Sequence, residues 1–186
     1  MTRLVALCFA ALLLFGACGG DGGGNRRVDS GTGEPAPEGI DGVLAYGVTD
    51  NTHVEGTIDY DVSPPVGGPH NPVWANCGFY DGEIPNENAV HSLEHGAVWV
   101  TYDPEALSDE DVAALRSALP ATYVILSPFE GLPSPIVLSG WNSQLEVDEA
   151  DDPRIAEFLE EYWLSQDVPE PGASCTGAID GPGKVS

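Results

Sequence analysis

The residues best suited to chemistry in this chain are its histidines. There are four, His53, His70, His91 and His95, all between positions 53 and 95. His91 and His95 are four apart, so a helix would place both imidazoles on one face, about 5–6 Å apart, close enough to share a metal ion. His70 follows Pro64-Pro65-Val66-Gly67-Gly68-Pro69, which cannot be regular structure and reads as a stiff turn. A turn of that kind presents a side chain at little ordering cost, which makes His70 a third candidate ligand. His53, immediately before an alternating segment, is the fourth. The chemistry expected of the set is the binding of a transition metal. Imidazole suits both zinc and copper, and raw affinity favours Cu(II). The only methionine is Met1, so a chain that loses its leader has no thioether to select Cu(I).

The same residues allow two other readings: histidines that only hold loops together by hydrogen bonds, and acid–base catalysis without a metal. His91-Ser92-Leu93-Glu94-His95 also fits the H-x-x-E-H pattern of inverted zinc peptidases, whose Glu is a general base. That motif needs a helix continuing beyond it. Here Gly96 stops one, and Ala97-Val98-Trp99-Val100 runs on as a strand. Glu94 is therefore expected to orient a ligating imidazole from behind rather than to catalyse. Trp74, Phe79, Tyr80 and Trp99 read first as core packing and otherwise as walls of a pocket, and Tyr80 is also a candidate hydrogen-bond partner or ligand. No catalytic residue is assigned. A metal-binding protein comes first, a structural or interaction protein second and a small metallo-enzyme third.

Charge narrows the partners. The chain has 186 residues, 30 acidic against 6 basic, for a formal net charge of −24. That balance excludes nucleic acid, whose phosphates must be neutralised by Lys and Arg, and docking on an anionic membrane through a basic patch. The N-terminus reads as an address. Arg3 precedes the apolar run Leu4 to Ala17, too short to span a bilayer but of signal-peptide length. Phe15-Gly16-Ala17-Cys18 resembles a lipobox, in which Cys18 is lipidated and becomes the mature N-terminus. Residues 1–18 are thus expected to be leader and anchor, and 19–41, rich in Gly and Pro, a flexible tether. The expected location is extracytoplasmic, held to the cell membrane or outer membrane by lipid. Cleavage removes Arg3 and no acid, making the mature chain more negative by one. Two cysteines then remain besides Cys18: Cys77 and Cys175. In an oxidising setting they are expected to form a disulfide. It would close a loop of roughly 100 residues, a constraint of about 4–5 kcal/mol in the chain-entropy model.

The elements that must position these residues follow from periodicity and punctuation. Residues 54–62 alternate as a half-buried strand, and 96–102, 122–126 and 135–141 read as further strands. Ser108 caps a helix to about Leu119, with Asp109, Glu110 and Asp111 in its first turn. Pro153 opens another to about Trp163, with an apolar stripe of Ile155, Phe158, Leu159, Tyr162 and Trp163. The acidic run Glu146 to Asp152 lacks EF-hand spacing and reads as a solvated helix start. The expectation is an α+β fold: one compact domain over 42–180, a largely antiparallel sheet with two main helices packed on it, and a disordered tail at 181–186.

The series His53-Val54, Pro64-Pro65-Val66-Gly67-Gly68-Pro69-His70, Trp74, Gly78-Phe79-Tyr80, then Glu87 through His91-Ser92-Leu93-Glu94-His95-Gly96, resembles a bacterial family of exported domains, domain of unknown function 3105. Trp141 in Leu138-Ser139-Gly140-Trp141 and Pro169-Glu170-Pro171 fit it too. The chain departs from the family at Val66-Gly67, where Thr-Ser is usual. The resemblance implies an exported or anchored domain whose motif positions include all four histidines, and it implies no activity.

Overall fold

The computed structural model describes residues 26–37 and 39–185. The expected leader, with Cys18 as the expected lipidation site, lies outside these residues. Among the described residues no helix is long and apolar enough to cross a membrane.

Among the described residues nine strands and three helices follow one another: β1 Arg26–Val28, β2 Glu34–Pro35, β3 Leu44–Ala45, β4 Ile58–Tyr60, β5 Gly78–Phe79, α1 Asn86–Glu94, β6 Val98–Tyr102, α2 Asp109–Ala118, β7 Val124–Pro128, β8 Ile136–Gly140, β9 Ser143–Val147 and α3 Pro153–Tyr162. Seven strands make one sheet in the order β2-β3-β9-β8-β6-β7-β5. The pairings from β2 to β6 are antiparallel, and β7 runs parallel to both β6 and β5. The fold is α+β with a mostly antiparallel sheet, as expected.

Every residue of β6, β7 and β8 is buried, because both faces of the sheet are covered. On one face Val98, Val100, Leu126 and Leu138 meet Leu115 of α2 and Ile155 and Phe158 of α3. On the other, Trp99 and Ile125 meet Ala89 and Leu93 of α1. The two expected helices thus share a side, and a third helix occupies the opposite one. The helix ends match their capping chemistry. Ser108 and Asp111 form a reciprocal capping box on α2, and Asp152 accepts from the Arg154 N–H at the start of α3. Because α2 is mostly exposed and rests on that cap, Ser108→Ala is expected to cost about 1 kcal/mol in urea unfolding.

Four expectations are corrected. Within the expected tether over 19–41, whose residues 19–25 lie outside the described ones, residues 26–37 are not loose: β1 pairs in parallel with β4, the Ser30 N–H donates to the Asp61 carboxylate, and Val28 and Ala36 are buried. Val28 sits where a Cβ on Gly68 would come within 2.9 Å, so the expected stiff turn is also a docking surface. The tail is not free either, since Asp81 N–H donates to Gly183 O and Val185 N–H to Phe79 O. Finally, the strand expected over 54–62 is only three residues long, and Glu146 and Val147 belong to β9 rather than to a helix start.

The expected disulfide is present, joining Cys77, just before β5, to Cys175. A backbone bond from Cys77 N–H to Cys175 O lies beside it.

Candidate metal centre

Helix α1 carries the site, and its burial is unusual. Seven of its nine residues, Asn88 to Glu94, are buried, and four of those are polar. Each polar side chain is answered. Asn88 donates to Val73 O, Ser92 to Ala75 O at 2.7 Å, and His91 Nδ1 to Asn71 O at 2.6 Å. The loop 71–75 is thereby laced along the helix by its own carbonyls, which meets the requirement that buried polar groups find partners. The helix stops where expected. Gly96 takes φ +92°, its N–H bonds to Leu93 O, and Ala97 N–H bonds to Ser92 O, a Schellman termination.

Two other segments bring the remaining histidines. The turn ending at Pro69 delivers His70, and His53 lies against it as a parallel bridge, with Val54 N–H donating to His70 O at 2.7 Å and His70 N–H to Thr52 O at 3.1 Å. The rings of His53, His70 and His91 then form a triangle with centroids 4.7–4.9 Å apart. Their Nε2 atoms converge on one carboxylate oxygen: Glu94 Oε2 lies 2.9 Å from His70, 3.5 Å from His53 and 4.0 Å from His91. Glu94 Oε1 accepts from Asn51 Nδ2 at 2.8 Å. Glu94, expected behind a ligand, instead stands among the ligand atoms.

Three imidazoles are held by the same device. Nδ1 of His70 faces Gly68 O at 2.7 Å, Nδ1 of His91 faces Asn71 O, and Nδ1 of His95 faces Ser174 O at 2.7 Å. A carbonyl only accepts, so each Nδ1 carries its proton. In a neutral ring that leaves Nε2 with a lone pair, the arrangement by which outer partners orient metal-binding histidines. Burial lowers the His91 pKa to about 4, aided by the neighbouring His70, His95 and His53 and opposed by the Asn71 bond, so this ring is neutral at pH 7. His95 is lowered for the same first reason. Burial alone would raise the Glu94 pKa, but hydrogen bonds from His70 and Asn51 and the field of His70 and His91 win and bring it down to about 2. The centre therefore places an anionic carboxylate against a His70 ring that donates to it through Nε2, beside the free Nε2 lone pair of a neutral His91.

The donor set fits a single cation. The ligand atoms of His53, His70, His91 and Glu94 all lie within 4.8 Å of one another. Donors about 2.1 Å from a tetrahedral zinc are roughly 3.4 Å apart, so modest inward movement suffices. His53 is 43% exposed while the other three are buried, which opens the site to solvent on one side. Trp141 stands edge-on to His70 at 6.0 Å, and Trp74, expected in the core, stands edge-on to His91 at 5.6 Å and to His95 at 5.3 Å.

Two expected members behave differently. The His95 ring lies 4.6 Å from that of His91, but its ligand atom groups with Glu94 and Glu170 instead of with the other three histidines. Tyr80 is not at the site. Its ring is fully buried beside Ala75, Ile84 and Trp99, and its hydroxyl donates to Asn76 O. Asn51 and Glu170 had no signal in spacing: one belongs to a loop, and the other is carried in from beyond α3.

Comparison with known proteins agrees with the resemblance. A family model described as a protein of unknown function, DUF3105, matches residues 53–177. No curated protein and no solved structure matches the chain. The matched region begins at His53 and includes His70, His91, Glu94, His95, Glu170 and both disulfide cysteines. With about two thirds of its length covered, including every residue of the candidate centre except Asn51, the chain belongs to the DUF3105 family.

Proposed function

We infer that this is an exported, lipid-anchored protein that binds a transition metal, copper or zinc, through its clustered histidines. His53, His70 and His91 supply Nε2 ligands together with the Glu94 carboxylate, and the His95 ring lies beside that of His91 at 4.6 Å. The observation carrying this reading is the convergence of three Nε2 atoms on Glu94, with the opposite nitrogens of His70 and His91 tied to backbone carbonyls. A single buried ion pair needs one histidine, not three. The lipid anchor rests on the lipobox-like Phe15-Gly16-Ala17-Cys18 and the apolar run before it. The strong negative charge supports the reading in a general way, since it concentrates cations around the domain.

A structural role is the competing reading. It is favoured by the contact between His70 Nε2 and Glu94 Oε2, which joins the two segments without a metal.

Metal content of the purified protein separates the two. Mass spectrometry after incubation with equimolar Zn(II) or Cu(II) and gel filtration is expected to give at least one ion per chain. His70→Ala and His91→Ala are each expected to lower affinity 10-fold or more. Metal-free wild type after both incubations would leave only the structural role. Thermal stability is expected to rise with bound metal, because the ion ties the segments of His53, His70 and His91 together.

A further inference from the structure

Beyond the three-histidine group, a second set of ligand atoms lies against the same carboxylate. Glu94, His95 and Glu170 each offer an atom within 4.8 Å of the other two. His95 Nε2 is 3.6 Å from Glu170 Oε2. His95 is buried, and its Nδ1 is held by Ser174 O, so the ring cannot turn its other nitrogen away without losing that bond. The segment bearing Glu170 is fastened to the end of α1 by backbone bonds from Glu170 N–H to Glu94 O and from Gly172 N–H to His95 O, both 3.1 Å. Trp74 lies edge-on to both His91 and His95, a wall common to the two groups.

Electrostatics make this arrangement costly without a ligand. Two carboxylates approach within 4.8 Å, and one of them, Glu94, is almost wholly buried. A cation standing between them offsets the repulsion of two carboxylates so placed.

We propose that Glu94, His95 and Glu170 form a second divalent-cation site, and that the Glu94 carboxylate is shared between it and the three-histidine group, so that the protein holds a pair of metal ions. One imidazole and two carboxylates suit Zn(II) or Mn(II) and are a poor match for Cu(I). Glu170 is half exposed, so solvent water completes the coordination and the second ion binds more weakly than the first. The proposal rests on reading the three-histidine group as a metal site.

Zinc titration of the full chain tests it, with native mass spectrometry and calorimetry as readouts. Physiological ionic strength in the titration screens zinc from exposed carboxylates elsewhere on the surface. Wild type is expected to bind two zinc ions per chain, the second at least 10-fold more weakly. Glu170→Gln, at a half-exposed position that does not threaten folding, is expected to bind one ion with the first affinity unchanged. His95→Gln is expected to do the same, with circular dichroism confirming the fold. One zinc in wild type, unchanged by Glu170→Gln, overturns the second site and leaves the first reading standing. Two in wild type and two in Glu170→Gln overturns the assignment of these residues. No bound zinc overturns both readings.

Discussion

Replacing Cys77 and Cys175 together by serine is expected to lower the stability of the domain by about 4 kcal/mol, read from urea unfolding, and the melting temperature by roughly 10–15 °C. The bridge closes a loop of 98 positions, so its loss frees a long stretch of the unfolded chain. The folded state loses more than a tether. Cys175 adjoins Ser174, whose carbonyl fixes His95, and the same segment carries Glu170 against α1. Reduction is therefore expected to loosen His95 and Glu170 while leaving His53, His70 and His91, held by bonds at 52–54 and 68–71, in place. In zinc titrations the weaker binding step is expected to be lost first on reduction, and simultaneous loss of both would show that the C-terminal segment supports the whole centre. A destabilisation below about 1 kcal/mol would mean that the two strands of chain are held mainly by their hydrogen bonds.

Replacing Glu94 has the second large effect. Removing one partner of a buried ion pair leaves the other uncompensated, at a cost of about 3–5 kcal/mol. Glu94→Gln keeps shape and one acceptor, so it is expected at the low end, about 3 kcal/mol at pH 7 in metal-free protein, and should abolish tight zinc binding. Its pH signature is distinctive. Unfolded Glu protonates below about 4.5, whereas folded Glu94 stays ionised down to about 2. Across that window the unfolded chain takes up more protons, so the stability Glu94 contributes is present above pH 4.5 and is lost as pH falls toward 2. His91 acts at higher pH with the same sign. Unfolded His protonates below 6.5, folded His91 resists until about 4, and stability falls as pH drops through that range. Metal-free wild type is thus expected to be most stable above pH 6.5 and to weaken in two overlapping stages. Glu94→Gln should flatten the lower stage and keep the upper. Identical profiles for the two proteins would remove the buried-carboxylate account.

Much of the frame was readable from local signals. The Ser108 and Asp152 starts, the Gly96 stop and the strands around Val98, Val124 and Ile136 all announce themselves through caps, glycine and apolar runs. Helix α1 does not. Its N-cap, Pro85, has no side-chain acceptor, and its polar residues Asn88, His91, Ser92 and Glu94 spread round the helix where an apolar stripe would normally show. It is helical because the sheet covers one side and the carbonyls of Asn71, Val73 and Ala75 satisfy the other. The segment 26–37 carries no local signal for a related reason: strands of two or three residues have no period, and their stability comes from partners far along the chain.

The histidines, the cysteine pair and Glu94 are all matters of composition and spacing, and so is the expectation that imidazoles converge. Which nitrogen faces inward is not. That is decided by carbonyls at Gly68, Asn71 and Ser174, supplied by a turn, a loop and a disulfide-held tail. The division of four histidines into a triad and a separate His95 has the same origin. Helical spacing put His91 and His95 side by side, but Glu170, brought from beyond α3 by backbone bonds to the end of α1, faces one of them and not the other. Residue type and local spacing set what chemistry is available, because they act within a turn or two of chain. The partners that orient each ring lie 2 to 79 positions away, and only the folded chain brings the distant ones together.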